Sequence, residues 1–130
     1  MKKQIPILSS ALMLTGCAGT SNNQTNAYRQ ITMAEAVDMM AQETGYIILD
    51  VRRPDEFAAG HIPNAINVPN ESIGISEIPE LPDKNQLIMV YCRSGRRSKE
   101  ASEKLVKLGY TNVVEFGGIL DWKGETVTGQ

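Results

Sequence analysis

Hydrophobic and polar positions change their period several times along this chain, and each change marks an element. Lys2-Lys3 precedes an apolar stretch from Ile5 to Leu14. Ala18 to Ala27 is small and polar with no apolar period. Such a segment cannot bury enough surface to offset its ordering entropy, so it reads as a flexible tether. Ile31 ends a short first strand, and Thr32-Met33-Ala34-Glu35 has the spacing of a capping box. The helix it opens continues through Ala36, Met39 and Met40 to a stop at Gly45. Tyr46 to Val51 is a nearly unbroken apolar run, the pattern of a central parallel strand buried on both faces. Pro54-Asp55-Glu56-Phe57 supplies the proline and acids of a helical first turn, closed by Gly60.

Ile66-Asn67-Val68 predicts a brief strand ended by Pro69, and Asn70 to Asn85, with Pro79 and Pro82, reads as loop with one helical turn. Leu87 to Tyr91 is a second buried-strand run that leads directly into Cys92. Arg96 to Leu108 predicts a helix with Ala101, Leu105 and Leu108 on one face, Lys104 and Lys107 near its C-terminal dipole, and Gly109 as its stop. Val113 to Phe116 is the last strand, and Gly117 to Trp122 a turn into a short helix. Strands alternating with helices predict an α/β domain, a mostly parallel central sheet of about five strands with helices on both faces.

Composition narrows the chemistry. A chain of 130 residues fits one domain, and 42% hydrophobic with 22% charged residues excludes disorder and a multi-span membrane protein. The net charge of −2 argues against a nucleic-acid partner, which would require many neutralised phosphates. Two cysteines cannot make a disulfide scaffold, and one histidine cannot build a multi-histidine metal site. The expectation is a monomer without metal or cofactor.

The apolar run after Lys3 is too short to span a hydrocarbon core of ~30 Å, and it ends in Leu14-Thr15-Gly16-Cys17. That sequence resembles the bacterial lipobox, whose cysteine is acylated and becomes the first mature residue. It implies a signal peptide over 1–16, a lipidated Cys17 with tether over 17–27, and a folded domain over 28–130. The implied location is extracytoplasmic, lipid-anchored to a bacterial membrane. A lipidated Cys17 cannot pair with Cys92. A lone free thiol facing an oxidising compartment is a liability unless it is buried or used.

Val90-Tyr91-Cys92-Arg93-Ser94-Gly95-Arg96-Arg97-Ser98 gives it a use. A buried strand delivers Cys92 to the carboxyl edge of the sheet, where open α/β sheets place their ligands. Gly95 permits a tight turn, so that successive amides converge on the sulfur as an anion-binding nest. The following helix N-terminus adds partial positive charge, and Arg93, Arg96 and Arg97 add full charges. All of these favour thiolate over thiol, which predicts a Cys92 largely ionised at neutral pH.

These residues resemble the rhodanese family of sulfurtransferases. Cys92 to Arg97 is similar to its active-site loop, cysteine-x-x-glycine-x-arginine. Leu49-Asp50-Val51-Arg52, Glu56-Phe57 and Gly60-His61-Ile62-Pro63-Asn64-Ala65-Ile66-Asn67-Val68-Pro69 resemble a second signature, and Gly117 to Trp122 a third. The likeness covers about Tyr28 to Lys123. It departs at Asn64, where family members often have glycine; asparagine also tolerates left-handed backbone.

The resemblance implies a persulfide mechanism. Cys92 takes the outer sulfur of a donor such as thiosulfate, and a thiol or cyanide acceptor removes it. The amides of Arg93, Ser94, Gly95, Arg96 and Arg97 would stabilise the anions, and Arg93 and Arg96 would help attract the donor. Asp50 and Arg52 read as supporting residues, with Asp50 available to a loop arginine. His61 and Trp122 read as structural, and Glu56 as a helix-start acid or an arginine partner. Two other functions fit the same residues: a non-catalytic binding module on the rhodanese fold, and a cysteine-loop phosphatase. The phosphatase loop has five residues between cysteine and arginine, whereas here Arg93 to Arg96 are the only ones between Cys92 and Arg97.

Overall fold

The alternating pattern folds as five parallel strands with helices on both faces. The computed structural model describes residues 27–74 and 77–129, so the stretch read as a signal peptide, Cys17 and nearly all of the stretch read as a tether lie outside the described residues. In chain order the elements are β1 (Arg29–Gln30), α1 (Met33–Gln42), β2 (Ile47–Asp50), α2 (Pro54–Ala59), β3 (Ile66–Asn67), β4 (Ile88–Cys92), α3 (Arg96–Lys107) and β5 (Val113–Gly118). The strands lie in the order β1-β5-β4-β2-β3, and every pairing is parallel. The last strand runs two residues beyond the expected Phe116, to Gly118, across a register shift opposite Val90 and Cys92.

Side chains alternate across the sheet with the period of two that a strand imposes. Ile88, Val90 and Cys92 of β4 join Leu49, Val51, Ala101, Leu105 and Val113 under α3. Met89 and Tyr91 point the other way, into a cluster with Ala36 of α1, Phe57 of α2, Ile48 and Phe116. Residues of β4 are therefore apolar on both faces and fully buried, as the continuous run predicted.

Local signals act as expected at several ends. The Thr32 hydroxyl accepts from the Glu35 amide at 3.1 Å, and Glu35 accepts from the Thr32 amide at 2.8 Å. Asn64 adopts φ 73°, the left-handed conformation its place in the signature demands. His61 is buried, stacked on the Phe57 ring at 3.7 Å, with Nδ1 2.8 Å from the Phe57 carbonyl. That is a packing role. The segment after Pro69 holds a 3-10 turn, Asn70–Ser72. It is also part of the core: Ile73, Ile78 and Leu81 are buried, and the Tyr110 hydroxyl donates to the Leu81 carbonyl at 2.6 Å.

Candidate active site

Cys92 is the last residue of β4, and the chain turns at once into α3. The turn depends on Gly95, at φ 117°, which lets its amide swing back and donate to Cys92 Sγ at 3.0 Å. Cys92 is 1% exposed, and the Ser98 hydroxyl lies 3.5 Å from its sulfur. Burial pushes the thiol up, but the Ser98 hydroxyl and the amides of Ser98, Gly95 and Ser94 outweigh it. The net result is a thiol more acidic than usual, held by amides at a helix start.

A second glycine is required by close approach. Cys92 is registered with Gly118 of β5, and a Cβ on Gly118 would lie 2.0 Å from the Arg93 carbonyl oxygen and 2.6 Å from Ser94 Cα. The same carbonyl accepts from the Leu120 amide at 3.2 Å. The reactive loop is thus laid directly on the Gly117-Gly118 segment.

The arginines do not touch the sulfur. Arg97 makes a two-pronged pair with Glu56 of α2, at 2.7 and 3.1 Å, and these hydrogen bonds, helped by the Arg53 amide and by the nearby positive charges, hold the Glu56 carboxyl at about 2. Arg96 reaches Glu100 at 3.2 Å on the exposed face of α3. Arg93, Ser94, Arg96 and Arg97, with Arg53, Glu56 and Glu71, line a polar cleft of about 580 Å³. A larger groove of about 750 Å³ lies between α1 and the Asp121–Gly124 segment, and no residue of the loop lines it. Among the described residues no cluster of three His, Cys, Asp or Glu side chains is placed to hold a metal.

Asp50 does not pair with a loop arginine. Arg52, two residues on, curls back onto it: Arg52 Nη2 lies 2.7 Å from Asp50 Oδ2, and its Nε 3.0 Å from both carboxylate oxygens. Arg52 also donates to the Gly60 carbonyl at 2.6 Å and sits over the Tyr91 ring. A partner two residues away on the same tight turn reaches the carboxylate before a more distant arginine can. This buried knot ties the ends of β2, β4 and α2 beside the loop. Trp122 packs against the α1 and α2 cluster and donates to the Glu125 carbonyl at 2.9 Å.

The structure also places three residues that the sequence reading had not assigned to the site: Ser98, Glu115 and Gly118. Glu115 was the most legible, since a carboxylate interrupts the apolar run from Val113 to Phe116.

An α/β domain with a buried, acidified cysteine in a glycine-turned loop at the strand edge belongs to the class of cysteine-loop enzymes. Residues 32–125 match the rhodanese-like domain, and the chain belongs to that family. It is 40% identical over 73 residues to thiosulfate sulfurtransferase PspE of Escherichia coli, covering 56% of this chain and 70% of that protein. It is 40% identical over 86 residues to a sulfurtransferase of Allochromatium vinosum, covering 64% and 77%. Among solved structures it resembles a rhodanese with anions from E. coli, with TM-score 0.59, 37% identity, and coverage of 65% of this chain and 99% of that one.

Proposed function

We infer that the protein is a rhodanese-type sulfurtransferase whose nucleophile is Cys92. The observation that carries this reading is the buried sulfur facing the Gly95 amide at 3.0 Å, at the start of α3. The Cys92 thiolate attacks the outer sulfur of a donor such as thiosulfate, and the S–S bond of the donor breaks. Sulfite leaves with that bond's electron pair, and Cys92 is left as a persulfide anion. A thiol or cyanide then takes the terminal sulfur and restores the thiolate. The amides of the loop serve both anions, because the charge stays close to the same sulfur atoms. Arg93 and the cleft-facing sides of Arg96 and Arg97 give the dianionic donor a positive approach.

The engagement of Arg97 with Glu56 argues against phosphate chemistry, in which that guanidinium would be needed on the substrate. The amides aimed at sulfur argue against a purely structural module. Mass spectrometry after thiosulfate treatment tests the reading: a gain of one sulfur atom is expected, absent in Cys92→Ala. Hydrolysis of p-nitrophenyl phosphate without sulfur gain would replace it with a phosphatase.

The lipobox-like Leu14 to Cys17 supports a finer reading, in which the domain works on the extracytoplasmic side of a bacterial membrane, held by a lipid on Cys17. Incorporation of labelled fatty acid that disappears in Cys17→Ala is the expected result; equal labelling of both proteins would refute the anchor.

A further inference from the structure

A carboxylate lies beneath Cys92 that the sulfur-transfer cycle has not used. Glu115 is 1% exposed in the middle of β5, and among the described residues it forms no ion pair. Its Oε2 accepts from the Gly117 amide at 2.9 Å and stands 2.6 Å from Ser98 Oγ. Ser98 Oγ is 3.5 Å from Cys92 Sγ, 2.9 Å from the Gly95 carbonyl and 3.3 Å from the Gly117 carbonyl.

The hydroxyl has a single proton to give. If Glu115 is ionised, its oxygen at 2.6 Å claims that proton, and Ser98 offers the sulfur only a lone pair. That arrangement suits a thiol S–H. If Glu115 is a carboxylic acid, its O–H donates to Ser98 Oγ, and the Ser98 proton is free to turn toward sulfur. That arrangement suits a thiolate. The two states contain the same atoms and one negative charge.

We propose that Glu115 is the proton acceptor for Cys92, acting through Ser98. The Cys92 S–H bond breaks and its proton bonds to Ser98 Oγ, while the proton Ser98 already carried passes to Glu115 Oε2. The products are a thiolate, an intact hydroxyl and a carboxylic acid. No second charge is created in a site where uncompensated charge is costly. The inference rests on the reading of Cys92 as the ionised nucleophile. Because thiolate and persulfide anion each carry one negative charge, the proton stays on Glu115 while sulfur arrives and leaves. Glu115 touches neither donor nor acceptor, so it is a positioning residue.

The other charged or titratable groups around the pair are few. Tyr28 lies just before β1 and Arg29 within it, opposite Val114, while Glu103 and Lys99 lie on α3 and Arg97 stands at the start of α3. None of them comes within salt-bridge distance of Glu115.

Infrared spectroscopy of the full chain with carbon-13-labelled glutamate tests this at a pH where ultraviolet absorbance shows Cys92 as thiolate. A labelled carboxylic-acid C=O band is expected, absent in Glu115→Gln. A thiolate with no such band in the unsubstituted protein overturns the proposal, and that measurement needs no variant to fold. This readout uses no sulfur donor, so a protein that keeps the band yet never loads sulfur would sink the sulfurtransferase reading and leave the relay standing.

Discussion

Asp50 and Glu115 are both buried carboxylates, on the two strands that flank the Cys92 strand, and their surroundings differ in one respect. Asp50, 0% exposed at the end of β2, meets the Arg52 guanidinium at 2.7 Å and accepts the Arg52 amide at 2.9 Å. Glu115, 1% exposed in β5, has a hydroxyl and an amide but, among the described residues, no cation within salt-bridge distance. A carboxylate fixed against an arginine is committed to its charge and serves as scaffold. One supported only by neutral donors can trade its proton with a neighbour, and the neighbour here is a reactive sulfur.

Three substitutions would break or sharpen this contrast. The largest effect on stability is expected from Asp50→Ala, which strands the Arg52 charge in the interior and should cost about 3–5 kcal/mol in urea unfolding. Adding Arg52→Met should recover part of that loss, because no unpaired charge remains. Glu115→Gln should cost less than about 1 kcal/mol, since the amide still bonds Ser98 and Gly117. A comparable loss in both would erase the distinction between the two carboxylates.

The loop between them should be more sensitive in rate than in stability. Gly118→Ala places a Cβ 2.0 Å from the Arg93 carbonyl, so the cysteine loop must move. A shift on that scale should slow persulfide formation by about 100-fold, measured by single-turnover mass spectrometry. An unchanged rate would mean that the loop's seat on β5 does not set the position of sulfur.

The smallest effect concerns the pair on the cleft rim. Arg97 lowers Glu56 from 4.5 to about 2, so its stabilisation is fully present above pH 4.5 and is lost as pH falls toward 2. The contribution should be on the order of 2 kcal/mol, and it should vanish in Glu56→Gln. Thermal unfolding between pH 5 and pH 2 measures it, and equal acid sensitivity of the two proteins would show that the pair adds nothing.

Much of this arrangement is legible in the sequence alone. Leu87 to Tyr91 announced a doubly buried strand because a parallel strand covered on both faces tolerates no polar side chain. Cys92, Gly95 and the start of α3 announced an anion nest because the turn, the amides and the dipole are local properties of the chain. The sequence puts Asp50 at a strand end with Arg52 and Arg53 nearby but leaves its arginine open, because side-chain pairing is decided by which partner lies nearest in space. The sequence marks Ser98 and Gly118 only as parts of their motifs, with no role at the sulfur. Their significance comes from β5 lying beside β4, which neither segment encodes by itself.

Periodicity, capping signals and the cysteine loop thus determined the class of fold, the nucleophile and the means of holding it as an anion, since all three depend on residues close together in the chain. Tertiary structure alone decided that Arg97 faces Glu56 and that Gly118 is the bed of the loop. It also put Glu115 one hydroxyl away from Cys92, although 23 positions separate them in the chain. Those contacts follow from the parallel β4–β5 pairing and from α3 crossing over it, and burial makes each of them count by removing the water that would otherwise stand in for a partner.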